Sequence, residues 1–178
     1  MSKERDLIQP GVTQPGGVWA DFGSGTGIFT LVLRELVGPT AEIYSIDKNA
    51  GSLDKQRKSF AEQYPGAHIH YLEQDFTKPL TLPPLDGVVM ANSLHFIPFG
   101  HQEETFIRIC SYLNPERARL ILVEYDTSHG RPWIPYPVDY EAFINLAEAA
   151  GLVEIRRVAL APSVFSPGMY AALGERRA

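Results

Sequence analysis

One segment, VWADFGSGTGIFTLVL at residues 18–33, constrains the fold of this chain more than any other. It passes from an apolar, strand-like run through Gly23, Gly25 and Gly27 into residues at helical spacing. Glycines suit such a turn because the backbone must reverse sharply and let a ligand lie against it with no Cβ in the way. The spacing argues against two alternatives. A dinucleotide fingerprint requires Gly-x-Gly-x-x-Gly, whereas here the third glycine comes one residue early and Ile28 takes its place. A phosphate-binding loop requires a following Gly-Lys-Ser/Thr, which is missing. Asp21 precedes the turn, where its charge opposes a pyrophosphate and favours a ligand carrying an ammonium and a sulfonium.

Around this segment the chain alternates short apolar runs with helical stretches, the pattern of a parallel sheet with crossover helices. Strands are expected at 18–22, 41–46, 68–72, 87–92 and 119–125. The runs GVVMAN and RLILVEY are almost continuously apolar, as central strands covered on both faces must be. HIHY at 68–71 alternates and belongs at an edge. Helices follow, the first over about 27–37 and stopped by Gly38 and Pro39. The second has a stripe of Leu53, Arg57, Phe60 and Tyr64, and the third one of Phe106, Ile109, Cys110 and Leu113. A fourth starts at the N-cap Asp139, turns Phe143, Leu146, Ala147 and Ala150 inward, and ends at Gly151. Segments 153–160 and 168–174 then form an antiparallel hairpin. Only residues 76–85 join the third strand to the fourth, and their prolines forbid a helix. Ten extended residues reach roughly 33 Å against the ~14 Å of three strand spacings, so a bare loop suffices.

With 178 residues, one domain is the expectation, divided into an N-terminal segment 1–17, a core 18–125, and a loop, helix and hairpin over 126–178. The single cysteine, Cys110, excludes an internal disulfide framework and lies on an apolar helical stripe, where core packing outweighs a reactive role. The opening MSKERDLIQP has no secretory pattern and no run approaches ~18 apolar residues, so a cytoplasmic location and no membrane association are expected. A net charge of −5 gives no strong nucleic-acid signal.

The glycine turn resembles the first motif of the class I S-adenosylmethionine-dependent methyltransferases: an acidic residue, a spacer and Gly-x-Gly-x-Gly, met by Asp21, Gly23, Gly25 and Gly27. The resemblance extends over roughly residues 18–125 and implies a three-layer Rossmann-like α/β fold. Its seven-stranded sheet would be mostly parallel, in the order 3-2-1-4-5-7-6 with the last strand antiparallel. S-adenosylmethionine is the cofactor so implied, with S-adenosylhomocysteine as product. It places Asp47 at the end of strand two, where a carboxylate accepts from both ribose hydroxyls, with Lys48 beside it. Asp75 and Phe76, after strand three, would meet the adenine amino group and ring, and Asn92 would face the methionine part. Ser24 within the turn completes the set. Taken singly, Asp47 and Asp75 fit equally well as loop caps; their combination with the glycines favours the cofactor.

The acceptor side is less determined. The expected reaction is methyl transfer to a small molecule; a non-catalytic cofactor-binding sensor or scaffold, or a nicotinamide-dependent oxidoreductase, are the alternatives. His95, Trp133 and Tyr136 are the substrate-side candidates, with His129 and Glu124 on the same rim, and no catalytic base is assigned. Asn92-Ser93-Leu94-His95 replaces the Asn/Asp-Pro-Pro-aromatic box of base-amino methyltransferases, and no metal site is expected: His68 and His70 read as solvated edge residues. The loop DTSHGRPWIPYPV at 126–138 is proline-stiffened and unusually apolar, suited either to clasp the sheet rim or to wall an acceptor pocket. Leu7 and Ile8 either fold over the cofactor or fray, and a second subunit, in a homodimer, is a further means of closing the site.

Overall fold

Residues alternate strictly between two faces along the central strands, and this alternation organises the molecule. The computed structural model describes residues 2–165 and 167–178. Its strands are β1 (Val18–Phe22), β2 (Glu42–Asp47), β3 (His68–Glu73), β4 (Gly87–Ala91), β5 (Arg117–Tyr125), β6 (Val153–Ala161) and β7 (Met169–Arg177). Its helices are α1 (Lys3–Ile8), α2 (Ile28–Val37), α3 (Ala50–Gln63), α4 (Phe99–Ser111) and α5 (Tyr140–Ala149). The sheet order is β3-β2-β1-β4-β5-β7-β6, parallel except for β7, which is antiparallel to both neighbours.

One face carries Ala20 and Phe22 of β1, Val88 and Met90 of β4, and Leu120 and Leu122 of β5, packed under Phe106 and Ile109 of α4 and Phe143 of α5. The opposite face carries Trp19, Ile43, Val89, Ile121 and Val123, packed under Leu7 and Ile8 of α1 and Val32, Leu33 and Val37 of α2. The fully buried β4 and the buried stretch 120–124 of β5 account for their apolar sequences, while β3, at the edge, is exposed or half-buried throughout. No helix stands between β3 and β4: the bare connection lays Leu80, Leu82 and Leu85 over the first face, where a crossover helix would otherwise pack.

Two expectations need correcting. The buried polar member of α3 is Gln56, not Arg57, which is exposed and paired with Asp54 at 2.9 Å. Leu7 and Ile8 neither fray nor cover a ligand cavity; they are completely buried in the core. Asp139 caps α5 as expected, accepting from the Ala142 amide at 2.9 Å. Cys110 is buried, and burial pushes its thiol up to about 12, which suppresses thiolate chemistry. No described helix is long and apolar enough to cross a membrane.

Candidate functional site

The parallel strands end on one rim, and the chain reverses its winding between β1 and β4, which is where open α/β sheets bind ligands. A cavity of about 710 Å³ opens there. Its floor is the turn after β1, held down by Gly23 and Ser24 amides that donate to the Ile46 carbonyl at 2.8 and 3.1 Å. Gly23 and Gly25 both have positive φ, but for different purposes. A Cβ on Gly23 would lie 2.4 Å from the Cβ of Ser93, so packing within the protein forbids it. A Cβ on Gly25 would meet nothing within 4 Å, so this position offers bare backbone to the cavity.

Seven of the ten sequence-derived cofactor residues line the cavity: Gly23, Gly25, Asp47, Lys48, Asp75, Phe76 and Asn92. Asp47 is also the clip that shapes the turn. Its two oxygens accept from the Gly25 and Asn49 amides, each at 2.8 Å, leaving about half of the carboxylate's lone pairs for other donors. Asp75 caps its own loop, accepting from the Thr77 amide at 2.9 Å and hydroxyl at 2.7 Å. Partial burial alone would raise the Asp75 pKa, but the Thr77 hydrogen bonds and the charges of Lys48 and Lys78 outweigh it and hold the carboxyl below its usual range. Capping and cavity lining are therefore not alternatives for these two aspartates; each does both. Phe76 meets Phe22 edge-on at 6.2 Å.

Asn92 directly follows β4, with a φ of 52°, a left-handed conformation uncommon outside glycine. Its amide donates to the Val123 carbonyl at 2.9 Å, whereas its buried Oδ1 has no hydrogen-bond partner. An unsatisfied buried acceptor costs ~1–3 kcal/mol and is a natural place for a ligand donor.

The remaining three lie beneath the site. Asp21 is buried and accepts from the Thr30 hydroxyl at 2.6 Å. Burial, opposed by the Thr30 bond and helped by the charge of Asp47, raises its pKa to about 7. Its position under the turn, rather than at the cavity wall, departs from direct contact with a ligand cation. Ser24 bonds to the Ser45 hydroxyl at 2.8 Å, and a Cβ on Gly27 would strike the Gln56 side chain at 2.3 Å. Motif reading passed over Asn49, Ser52 and Thr77, and also Ser93, Phe96, Ile97 and Pro98, all of which line the cavity. Every one follows within a few residues of Asp47, Asp75 or Asn92, so strand ends alone would have located them.

The substrate-side candidates lie outside this cavity. His95 is buried, with Nδ1 2.6 Å from Glu124 Oε2, while Glu124 Oε1 accepts from the amides of Leu94 and His95 at 3.0 and 3.2 Å. The pair fastens the segment after β4 to β5. The Tyr136 amide donates to the His95 carbonyl at 3.0 Å, and Gln102 donates to the carbonyls of Ile97 and Tyr136. With Ile134 fully buried, loop 126–138 is a clasp; Trp133 points outward and touches Phe165. His68 and His70 are exposed, the latter 2.7 Å from Glu42.

A doubly covered, mostly parallel sheet in this strand order, with its cavity at the reversal point, defines a Rossmann-like protein of the methyltransferase type. Residues 20–116 match the model of the methyltransferase domain, and the chain belongs to that family. It is 25% identical over 151 residues to a ubiquinone/menaquinone biosynthesis C-methyltransferase, UbiE, of Ectopseudomonas mendocina, covering 84% of this chain and 57% of that protein. The chain spans about half the length of the curated relatives it matches. A solved S-adenosylmethionine-dependent methyltransferase from Aquifex aeolicus superposes with a TM-score of 0.72 at 16% identity, over 98% of this chain and 93% of that one. Magnesium protoporphyrin IX methyltransferase from Synechocystis, solved with bound S-adenosylmethionine, superposes at 0.71 and 19% identity, over 92% and 71%.

Proposed function

We propose that this domain binds S-adenosylmethionine in the rim cavity and transfers its methyl group to a small-molecule acceptor. The observation that carries this reading is Asp47: one carboxylate fixes the glycine turn through Gly25 and retains lone pairs toward the cavity, where a pair of ribose hydroxyls can be met. The fit continues along the rim. Asp75 and Phe76 suit a flat, amino-bearing ring, and Gly25 leaves room for the ligand to lie on the backbone. Asn92 closes the methionine end. The bound cofactor supplies a methyl carbon already activated by a sulfonium. Transfer would yield the methylated acceptor and S-adenosylhomocysteine, with the electron pair of the C–S bond left on sulfur; an acceptor that starts protonated would release that proton with the product. The chain's part is to hold the reactants near ~3 Å and to exclude water, which can supply much of the acceleration. The relative named for quinone C-methylation favours, as a second and finer reading, a quinol-type ring carbon as the acceptor.

Titration calorimetry with S-adenosylhomocysteine is the direct test. Wild-type protein should bind it, Asp47→Ala should bind at least tenfold more weakly, and nicotinamide dinucleotides should give no heat. Unchanged affinity in Asp47→Ala would remove the assigned contact. Binding without product across a broad acceptor panel would favour a sensor over an enzyme.

A further inference from the structure

A second cavity, of about 400 Å³, meets the first at Asn92, which lines both. It lies on the α1 and α2 side of the rim, and its walls include Lys3, Phe29, Tyr125, Phe165 and Met169. At this volume it is near the small end of ligand sites and suits one or two rings rather than a long chain. Its shape comes from aromatic packing: Tyr125 and Phe165 stand edge to face at 6.4 Å. Trp133 braces Phe165 from outside, with centroids 6.3 Å apart and its indole N–H donating to the Phe165 carbonyl at 3.4 Å. Phe165 is nonetheless half exposed at 51%, so it presents an aromatic surface beside the cavity. The charged lining residues are Lys3 and Glu4, of opposite sign, which favours an uncharged occupant. The buried Oδ1 of Asn92 lacks a donor.

We propose that this second cavity is the acceptor site, and that it takes an uncharged planar molecule of one or two aromatic rings bearing an O–H or N–H. The ring lies against Tyr125 and Phe165, and the O–H or N–H donates to Asn92 Oδ1 once the side-chain amide turns that oxygen, sealed from solvent in the unliganded protein, into the cavity. The assignment rests on the methyl-transfer reading, because Asn92 is what brings such a ring beside the first cavity. It also explains the apolar clasp, since Trp133, a residue the sequence offered as a substrate contact, acts one step back by holding Phe165.

Three probes separate the components of the proposal, each titrated into protein saturated with S-adenosylhomocysteine. 2-Naphthol has both flatness and donor, 2-methoxynaphthalene lacks the donor, and trans-2-decalol lacks the flat ring. 2-Naphthol should bind at least tenfold more tightly than either. Phe165→Ala should weaken 2-naphthol at least fivefold while leaving S-adenosylhomocysteine affinity within twofold, and Phe165→Tyr should restore it. Asn92→Gly, which tolerates the left-handed backbone, should abolish the preference for 2-naphthol over its methyl ether. Equal binding of all three probes, or an unaltered Phe165→Ala, overturns the assignment. So does an Asn92→Gly protein that loses only cofactor affinity, since its oxygen would then serve the first cavity. Absence of S-adenosylhomocysteine binding in the wild type overturns the functional reading itself. Cofactor binding without 2-naphthol binding overturns the acceptor site alone.

Discussion

Beneath the glycine turn, Asp21 carries a cost that the rest of the site imposes on it. Its pKa rises from 3.8 to about 7, chiefly through burial, with the Thr30 hydrogen bond resisting and Asp47 adding to the rise. Between those two values the folded protein holds a proton that the unfolded chain releases, so stability falls as the pH climbs from about 4 to 7. The full difference corresponds to on the order of 4 kcal/mol. Asp21→Asn keeps an acceptor for Thr30 and removes the ionisation. Thermal unfolding of the ligand-free protein should therefore show the variant gaining on the wild type with rising pH, by several degrees between pH 5 and pH 8, since about 1 kcal/mol moves a domain this size by ~2–4 °C. A melting difference that does not change with pH would show that Asp21 ionises without penalty.

At the scale of elements, strand ends were readable and loop-to-loop contacts were not. The turn after β1, Asp47 and Lys48 at the end of β2, and Asp75, Phe76 and Asn92 just past β3 and β4 were legible because family motif and strand end coincide there, and they supply seven cavity residues. Phe165 could not be read as a neighbour of Tyr125, because their approach depends on how the β6–β7 connection folds back over the rim. The His95–Glu124 pair was equally hidden: 29 residues separate its members, and the parallel pairing of β4 with β5 brings them together. Glu124 is the junction of that contact, accepting from two backbone amides and facing the imidazole. Glu124→Ala leaves these buried groups without partners, at ~1–3 kcal/mol each. Urea unfolding should register a loss above about 3 kcal/mol, with Glu124→Gln, which retains one acceptor oxygen, falling between the variant and the wild type. A loss below about 1 kcal/mol would mean that the segment after β4 is held by Tyr136 and Gln102 instead.

For the molecule as a whole, the two faces of the sheet are covered in different ways, and this decides which parts of the rim are secure. The α4 and α5 face gathers Phe22, Phe106, Phe143 and Tyr170, with Tyr170 further tied through its hydroxyl to the Val138 carbonyl at 2.8 Å. The other face is covered by α2 and, beside it, by a helix of only six residues, α1, too short to be stable by itself. What holds α1 is tertiary: Leu7 and Ile8 are fully buried against α2 and the sheet, and Arg5 pairs with Glu35 of α2 at 3.0 Å. The exposed ion pair contributes at most ~1 kcal/mol, so the two apolar side chains must supply the docking. Leu7→Ala should cost about 2–4 kcal/mol in urea unfolding, in the range of core truncations, whereas Arg5→Ala should cost less than ~1 kcal/mol. Because α1 also carries Lys3 and Glu4 to the second cavity, and nothing to the first, Leu7→Ala should loosen acceptor binding before cofactor binding. Hydrogen exchange of the Leu7 and Ile8 amides checks this independently. In the wild type their protection should approach that of β5, and in Leu7→Ala it should fall selectively, with β1 and β4 amides changing only by the loss in global stability.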